Sequence, residues 1–290
     1  MPPTRYRSIL FDLYGAFVRD LGGWIAIADL VELAAPLQVD EQAVRSSVSR
    51  FSRKGLLRRE VRDGQVGYAL SEPAHDILAE GDLRIFDKLE PAQLEDGWVL
   101  ASFSVPERLR AERHQLRTRL TWLGFGNLGP GLWIAPRRVL DRTVDTIREV
   151  GLDGYVDVFA ATHHAFDRPQ DLVQRCWDLA NLQATYRDYL DRFAPVAERW
   201  DTDAPEDTPD EAYADHVHAL HEWRKTPYLD PGLPVELLPD PWPGTQAAEL
   251  FAHLQERLMA ATLRFVHEVV GAQPSGTTAT ATTSTNARGS

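Results

Sequence analysis

Residues 24–70 read WIAIADLVELAAPLQVDEQAVRSSVSRFSRKGLLRREVRDGQVGYAL, and their periodicity sets the reading of the whole chain. Trp24 to Leu33 is strongly apolar, which predicts a helix buried against its neighbours. Pro36 ends that helix and Asp40 is placed to cap the next one. From Glu41 to Gly55 the apolar residues Val44, Val48 and Phe51 recur at helical spacing, and Leu56 follows. This keeps one face toward a core and leaves Gln42, Arg45, Ser46, Ser49, Arg50 and Arg53 on the other. Gly55 stops the helix. Next, LLRREVRDGQVGYAL alternates apolar residues on either side of Asp63-Gly64, a strong hairpin signal. Helix, turn, helix, hairpin is the order of a winged helix-turn-helix.

Charge gives this segment a partner. Between Val44 and Asp63 stand seven cations (Arg45, Arg50, Arg53, Lys54, Arg58, Arg59, Arg62) against two anions, Glu60 and Asp63. That is a local +5 in a chain of formal charge −12, so taking the +5 away leaves −17 for everything else. A basic island on an acidic protein is an electrostatic footprint for nucleic acid. Gln42, Arg45, Ser46 and Ser49, near the helix start, suit base edges in the major groove. Arg50, Arg53, Arg58, Arg59 and Arg62 suit phosphates at the rim. The other reading stays open: winged helices also join proteins to proteins, and an arginine-rich helix face is often only solvated.

Working outward, the chain reads as α+β with three units and a tail. Residues 1–90 hold the winged helix-turn-helix. After a charged linker around Asp87 to Asp96, residues 97–166 run strand (Gly97 to Val105), helix from Pro106, two short strands about Gly129-Pro130-Gly131, helix from Pro136, and strand (Tyr155 to His163). In the first helix Leu109, Leu116, Leu120 and Leu123 share a face; in the second Leu140, Val144 and Ile147 do. This β-α-β-β-α-β order is the ferredoxin-like arrangement. Residues 167–271 read as helical: one long helix over Pro169 to Phe193, a second over Asp210 to Lys225, a third over Gly244 to Val270. The acidic loop WDTDAPEDTPDE separates the first two. The crossover TPYLDPGLPVELLPDPWPG separates the last two, with too many prolines for a helix or central strand. Such an ordered, apolar crossover is expected to pack across helices. Residues 272–290, rich in Thr, Ser, Ala and Gly, are expected to be disordered.

The 290 residues include one cysteine, Cys176, which excludes an internal disulfide framework and fits a reducing compartment. No stretch reaches membrane-spanning length, and the expectation is a soluble cytoplasmic protein without membrane partners.

Three stretches carry a family resemblance: SILFDLYGAFVRDLGGWIAIADLVELAAPLQVDEQAVRSSVSRFSRKGLL, WLGFGNLGPGLWIAP and HEWRKTPYLDPGLPVELLPDPWPG. They fall in the three units in order, and the chain resembles the PaaX-type transcriptional repressors. The resemblance implies a dimeric repressor that releases operator DNA on binding an aryl-acyl-CoA or similar small molecule. No catalytic residue and no cofactor is expected.

The middle unit also resembles the ferredoxin-like nuclease subunit of CRISPR adaptation, whose first strand ends in a metal-binding aspartate. Here that strand carries Ser102 and Ser104, and no carboxylate comes before Glu107, which opposes metal-assisted cleavage. His216, His218 and His221, with Asp215 and Glu222, suggest a metal cluster, but no two of these histidines have the i, i+4 spacing of helical zinc ligands. The adjacent His163 and His164 face opposite ways if they lie on a strand. No metal site is expected. Trp223 and Arg224, with Trp242 after the crossover, are candidates for holding an anionic aromatic effector by charge and stacking. The alternative is that Arg224 pairs with a carboxylate and fixes the crossover. Arg108, Arg110, Arg113, Arg117 and Arg119 on the middle helix extend the DNA footprint or form an ion-paired exposed face. Three functions stay in view: a ligand-responsive repressor, a nucleic-acid enzyme and a winged-helix assembly module.

Overall fold

The computed structural model describes residues 5–85, 92–164, 166, 168–202 and 208–271. The tail at 272–290, half of the expected charged linker (87–91) and part of the acidic loop (203–207) lie outside the described residues. The fold is α+β, with two antiparallel sheets among many helices.

Helix α1 (Arg5–Leu13) continues through a wider turn over Tyr14–Val18 and buries Leu10, Leu13, Tyr14, Phe17 and Val18. Trp24–Ala26 is strand β1 rather than the start of a helix, and α2 begins only at Ile27 (Ile27–Ala34). The cause is tertiary. Gly22 and Gly23 turn the chain with φ of 91° and 74°, and the next three residues fill the open edge of a hairpin. A short apolar run cannot by itself distinguish a buried strand from a helix.

Helix α3 (Glu41–Arg53) is capped by Asp40, whose side chain accepts from the Ala43 N–H at 2.8 Å. Gly55, at φ 74°, reverses the chain into β2 (Leu57–Arg62). Asp63 and Gly64 both have positive φ, the geometry of a tight hairpin turn, and β3 (Gln65–Leu70) returns. The sheet order is β1-β3-β2. Helix α4 (Glu72–Ile85) follows; the sequence reading assigned no element there.

The middle residues form β4 (Trp98–Phe103), α5 (Arg110–Trp122), β5 (Gly126–Gly129), β6 (Leu132–Pro136), α6 (Leu140–Glu149) and β7 (Val156–Ala161). Their strands lie in the order β5-β6-β4-β7, all antiparallel. On one face Val99, Ala101 and Phe103 pack with Leu116, Leu120 and Ile147 of α5 and α6. On the other, Trp98 and Ile134 meet Leu172 and Val173.

The expected long helix from Pro169 is two: α7 (Pro169–Cys176) and α8 (Leu179–Thr202). Trp177 is extended between them (φ −130°, ψ 144°), its indole N–H donates to the Gly124 carbonyl at 3.0 Å, and Asp178 caps the Asn181 N–H. A contact from the middle unit thus bends a helix that its own pattern would continue. Helix α8 then runs through Pro195 into the sequence expected as acidic loop. Helices α9 (Pro209–Trp223) and α11 (Pro243–Val270) follow expectation closely. Between them the crossover forms one helical turn, α10 (Thr226–Leu229). Its proline sits in the first turn, where a missing N–H costs nothing. The crossover is a hub: Arg138 donates to the Pro231 carbonyl, Tyr228 meets Trp122, and the Tyr186 hydroxyl donates to Asp230 at 2.6 Å.

The deepest core disregards the boundary between first and last units. Leu10, Leu13, Leu30, Leu33, Val44 and Val48 cluster with Tyr213, Val217 and Val266 of α9 and α11.

Candidate nucleic-acid interface

Helix α3 buries Val44, Ser47 and Val48, and its Phe51 ring meets Phe11 of α1 at 5.5 Å. This fixes which side faces out. Gln42, Arg45, Ser46, Ser49 and Arg53 are exposed and Arg50 is half-buried. Arg45 is held by Glu41 one turn earlier, through Nε at 2.7 Å and Nη2 at 2.6 Å.

In β2 the period-two alternation puts Arg58, Glu60 and Arg62 on one face and Arg59 on the other. Glu60 takes both neighbours, Arg58 at 3.2 Å and Arg62 at 2.8 Å. The Arg62 guanidinium also lies over the Trp24 ring, 5.2 Å from its centre. That ring covers Gly67, where a Cβ would stand 2.4 Å from it. The side chains of Arg50, Arg53, Lys54 and Arg59 have no hydrogen bond or ion pair among the described residues. Two layers therefore result, a helix face of short polar groups and a rim of free cations.

Sequence reasoning missed the scaffold of this surface. Trp24, Glu60 and Gly67 fix the hairpin and its arginines, and only the cross-strand register of Ala26 with Gly67 and Glu60 with Gly67 brings them together.

The histidines of α9 diverge. His216 is buried, with Nδ1 3.1 Å from the Thr262 hydroxyl and Nε2 bonded to Gln255. Burial lowers its pKa. His221 turns the other way, and its Nδ1–H donates to Asp12 at 2.6 Å. Among the described residues no group of three His, Cys, Asp or Glu is placed to hold a metal ion.

The expected effector trio is only partly assembled. Trp223 is buried, stacks on Phe251 at 4.9 Å and donates its indole N–H to the Ile85 carbonyl. Tyr186 stands between it and Trp242, at 6.3 and 5.8 Å respectively. Arg224 leaves this cluster and forms an ion pair with Asp12; burial lowers its pKa. A cavity of about 570 Å³ lies elsewhere, at the α7–α8 bend, lined by Arg175, Cys176, Trp177, Gln183 and Pro239 among others.

Comparison with known proteins adds the relationship. Residues 5–74 match the PaaX-like protein family, 91–173 the PaaX protein central Cas2-like domain, and 177–268 the PaaX-like protein C-terminal domain. The chain belongs to the PaaX family. It is 28% identical to the transcriptional repressor PaaX of Escherichia coli strain K12, over 92% of this chain and 84% of that protein. The PaaX-family fold also resembles a solved structure, the uncharacterized protein Rv0674 from Mycobacterium tuberculosis. The TM-score is 0.58 at 22% identity, covering 90% of this chain and 97% of the other. No helix among the described residues is long and apolar enough to cross a membrane.

Proposed function

We propose that this protein is a sequence-specific DNA-binding transcriptional repressor. The observation that carries the reading is the outward face of α3: Gln42, Arg45, Ser46 and Ser49, flanked by the unpartnered cations Arg53 and Arg59. Short polar groups beside a free cationic rim fit base edges and phosphates at once. Family membership and likeness to a repressor support it. Residues 1–90 act as a winged helix-turn-helix, with β2 and β3 as the wing. Residues 97–166, with the strand order β5-β6-β4-β7, act as a ferredoxin-like unit, and 167–271 as the helical regulatory unit.

The repressor works as a homodimer, because one recognition helix reads too few base pairs for useful specificity. A small-molecule effector, an aryl-acyl-CoA or a similar compound, releases it by favouring the DNA-incompetent arrangement. The effector site lies in the helical unit. The α7–α8 cavity offers room and the Arg175 cation. Gln183 on its wall donates to the Pro241 carbonyl, which joins it to Trp242. Trp223 and Arg224 pass the change onward.

The test is selection of bound duplexes from a random library, followed by titration of the enriched duplex and a scrambled one across salt. A symmetric enriched site with steep salt dependence is expected. Equal binding to both duplexes, or none, would overturn the reading and favour a protein-binding winged helix.

A further inference from the structure

The segment His221-Glu222-Trp223-Arg224 lies outside the winged-helix residues, yet three of its side chains reach the DNA-binding unit. His221 Nδ1–H donates to Asp12 Oδ2 at 2.6 Å, and Arg224 forms an ion pair with Oδ1 of the same carboxylate. Trp223 donates to the Ile85 carbonyl at the end of α4. The segment therefore grips both α1 and α4. The Asp12 and His221 side chains are each 3% exposed, so the contact is shielded from water and salt.

Helix α1 faces two ways at this point. Phe11, next to Asp12, packs against Phe51 of the recognition helix α3, while Asp12 faces the C-terminal helices. A rotation of α9 relative to α1 is felt one side chain away from the helix that meets DNA. The apolar core around Tyr213, Val217 and Val266 joins the same units, but apolar packing is non-directional. A carboxylate with both oxygens engaged by charged or N–H donors is directional. The core supplies adhesion, and Asp12 supplies the angle.

We propose that Asp12 is a positioning residue: through His221 and Arg224 it fixes the orientation of the DNA-reading unit on the helical unit. In the dimer it thereby sets the spacing of the two recognition helices. This rests on the DNA-binding reading above. Asn at position 12 keeps the size but loses the charge that attracts Arg224 and replaces one acceptor oxygen with N–H₂, so His221 must change tautomer or lose its bond.

The experiment uses the full chain, Asp12→Asn and His221→Gln, with three duplexes: the site enriched by the wild type, the same site with half-sites moved apart by about two base pairs, and one half-site alone. Folding is checked by circular dichroism and a cooperative melt. The variants should bind the single half-site like the wild type. They should bind the native spacing about tenfold more weakly and lose the preference for it over the altered spacing. Wild-type affinity and spacing preference in the folded variants would overturn the proposal. So would an equal loss on half-site and full site, which would make Asp12 a support for the DNA-binding unit alone. If Asp12→Asn does not fold, His221→Gln decides from the other side of the contact. If the wild type enriches no sequence, the DNA-binding reading itself falls.

Discussion

Arg45 is held by Glu41, but both side chains are more than half exposed, and such a pair contributes little in water. In the proposed complex a guanine edge would offer the guanidinium two acceptors in place of one crowded oxygen, so DNA would displace Glu41 readily. Arg45→Ala should cost about 1–3 kcal/mol of operator affinity and relax specificity at one position. Arg53→Ala, losing a phosphate contact, should weaken every duplex alike and flatten the salt dependence. Gel-shift titrations on selected and scrambled duplexes separate the two, and an Arg45→Ala protein with unchanged affinity would remove α3 from the groove. A second residue speaks to stability. His216 is buried, and burial lowers its pKa below the usual 6.5. The unfolded chain therefore takes up a proton near pH 6.5 that the folded chain refuses. Stability from this group is intact above about pH 6.5 and falls as the pH drops below it. Urea melts at pH 7.5 and 5.5 should show the loss in the wild type and a smaller loss in His216→Gln; equal losses would assign the effect elsewhere.

Among the elements, the hairpin and β1 depend on one another. A Cβ at position 67 would stand 2.4 Å from the Ile25 carbonyl oxygen and the Trp24 ring. Gly67→Ala should therefore push β1 off β3 at a cost of about 1–3 kcal/mol, read as a lower denaturant midpoint. It should also loosen Arg62 from Trp24 and weaken DNA binding beyond the loss of fold. A variant as stable as the wild type would mean that the Trp24 ring moves aside freely. The same dependence explains what was legible in the sequence. The hairpin and α3 were, since Asp63-Gly64 and the Asp40 cap are local signals that fold as written. So was the strand and helix order of the middle unit, set by alternation and leucine spacing. Strand β1 was not, because its partner lies across the hairpin. The α7–α8 bend was not, because the Gly124 carbonyl that holds Trp177 belongs to another unit. The polar face of α3 could be read from its period, but the roles of Glu60, Asp12 and the His221–Arg224 segment depend on tertiary neighbours.

At the scale of the molecule, the shared core between α1–α3 and α9–α11 means that the DNA-reading unit does not swing freely on a linker. In the proposed repressor, effector control would then act through rigid packing, with the crossover carrying displacement between units. It touches the middle sheet through Arg138 and Trp122 and α8 through Tyr186. A ligand seated at the α7–α8 bend would press on a place where the Trp177–Gly124 contact from the middle unit already breaks a helix. Light scattering should first give about twice the 32.6 kDa chain mass, as two-fold half-sites require; a monomer that binds its operator tightly would remove symmetry from the argument. An aryl-acyl-CoA that acts as effector should then weaken operator binding roughly 5- to 150-fold. Arg175→Ala should retain the fold, the dimer and operator affinity, because Arg175 lines cavities beside α7 to which no α3 residue contributes. It should lose the response to effector, since the ligand's anionic groups lose their cation. Effector release equal to the wild type would move the site away from this cavity, and loss of operator binding without effector would make Arg175 part of the scaffold instead.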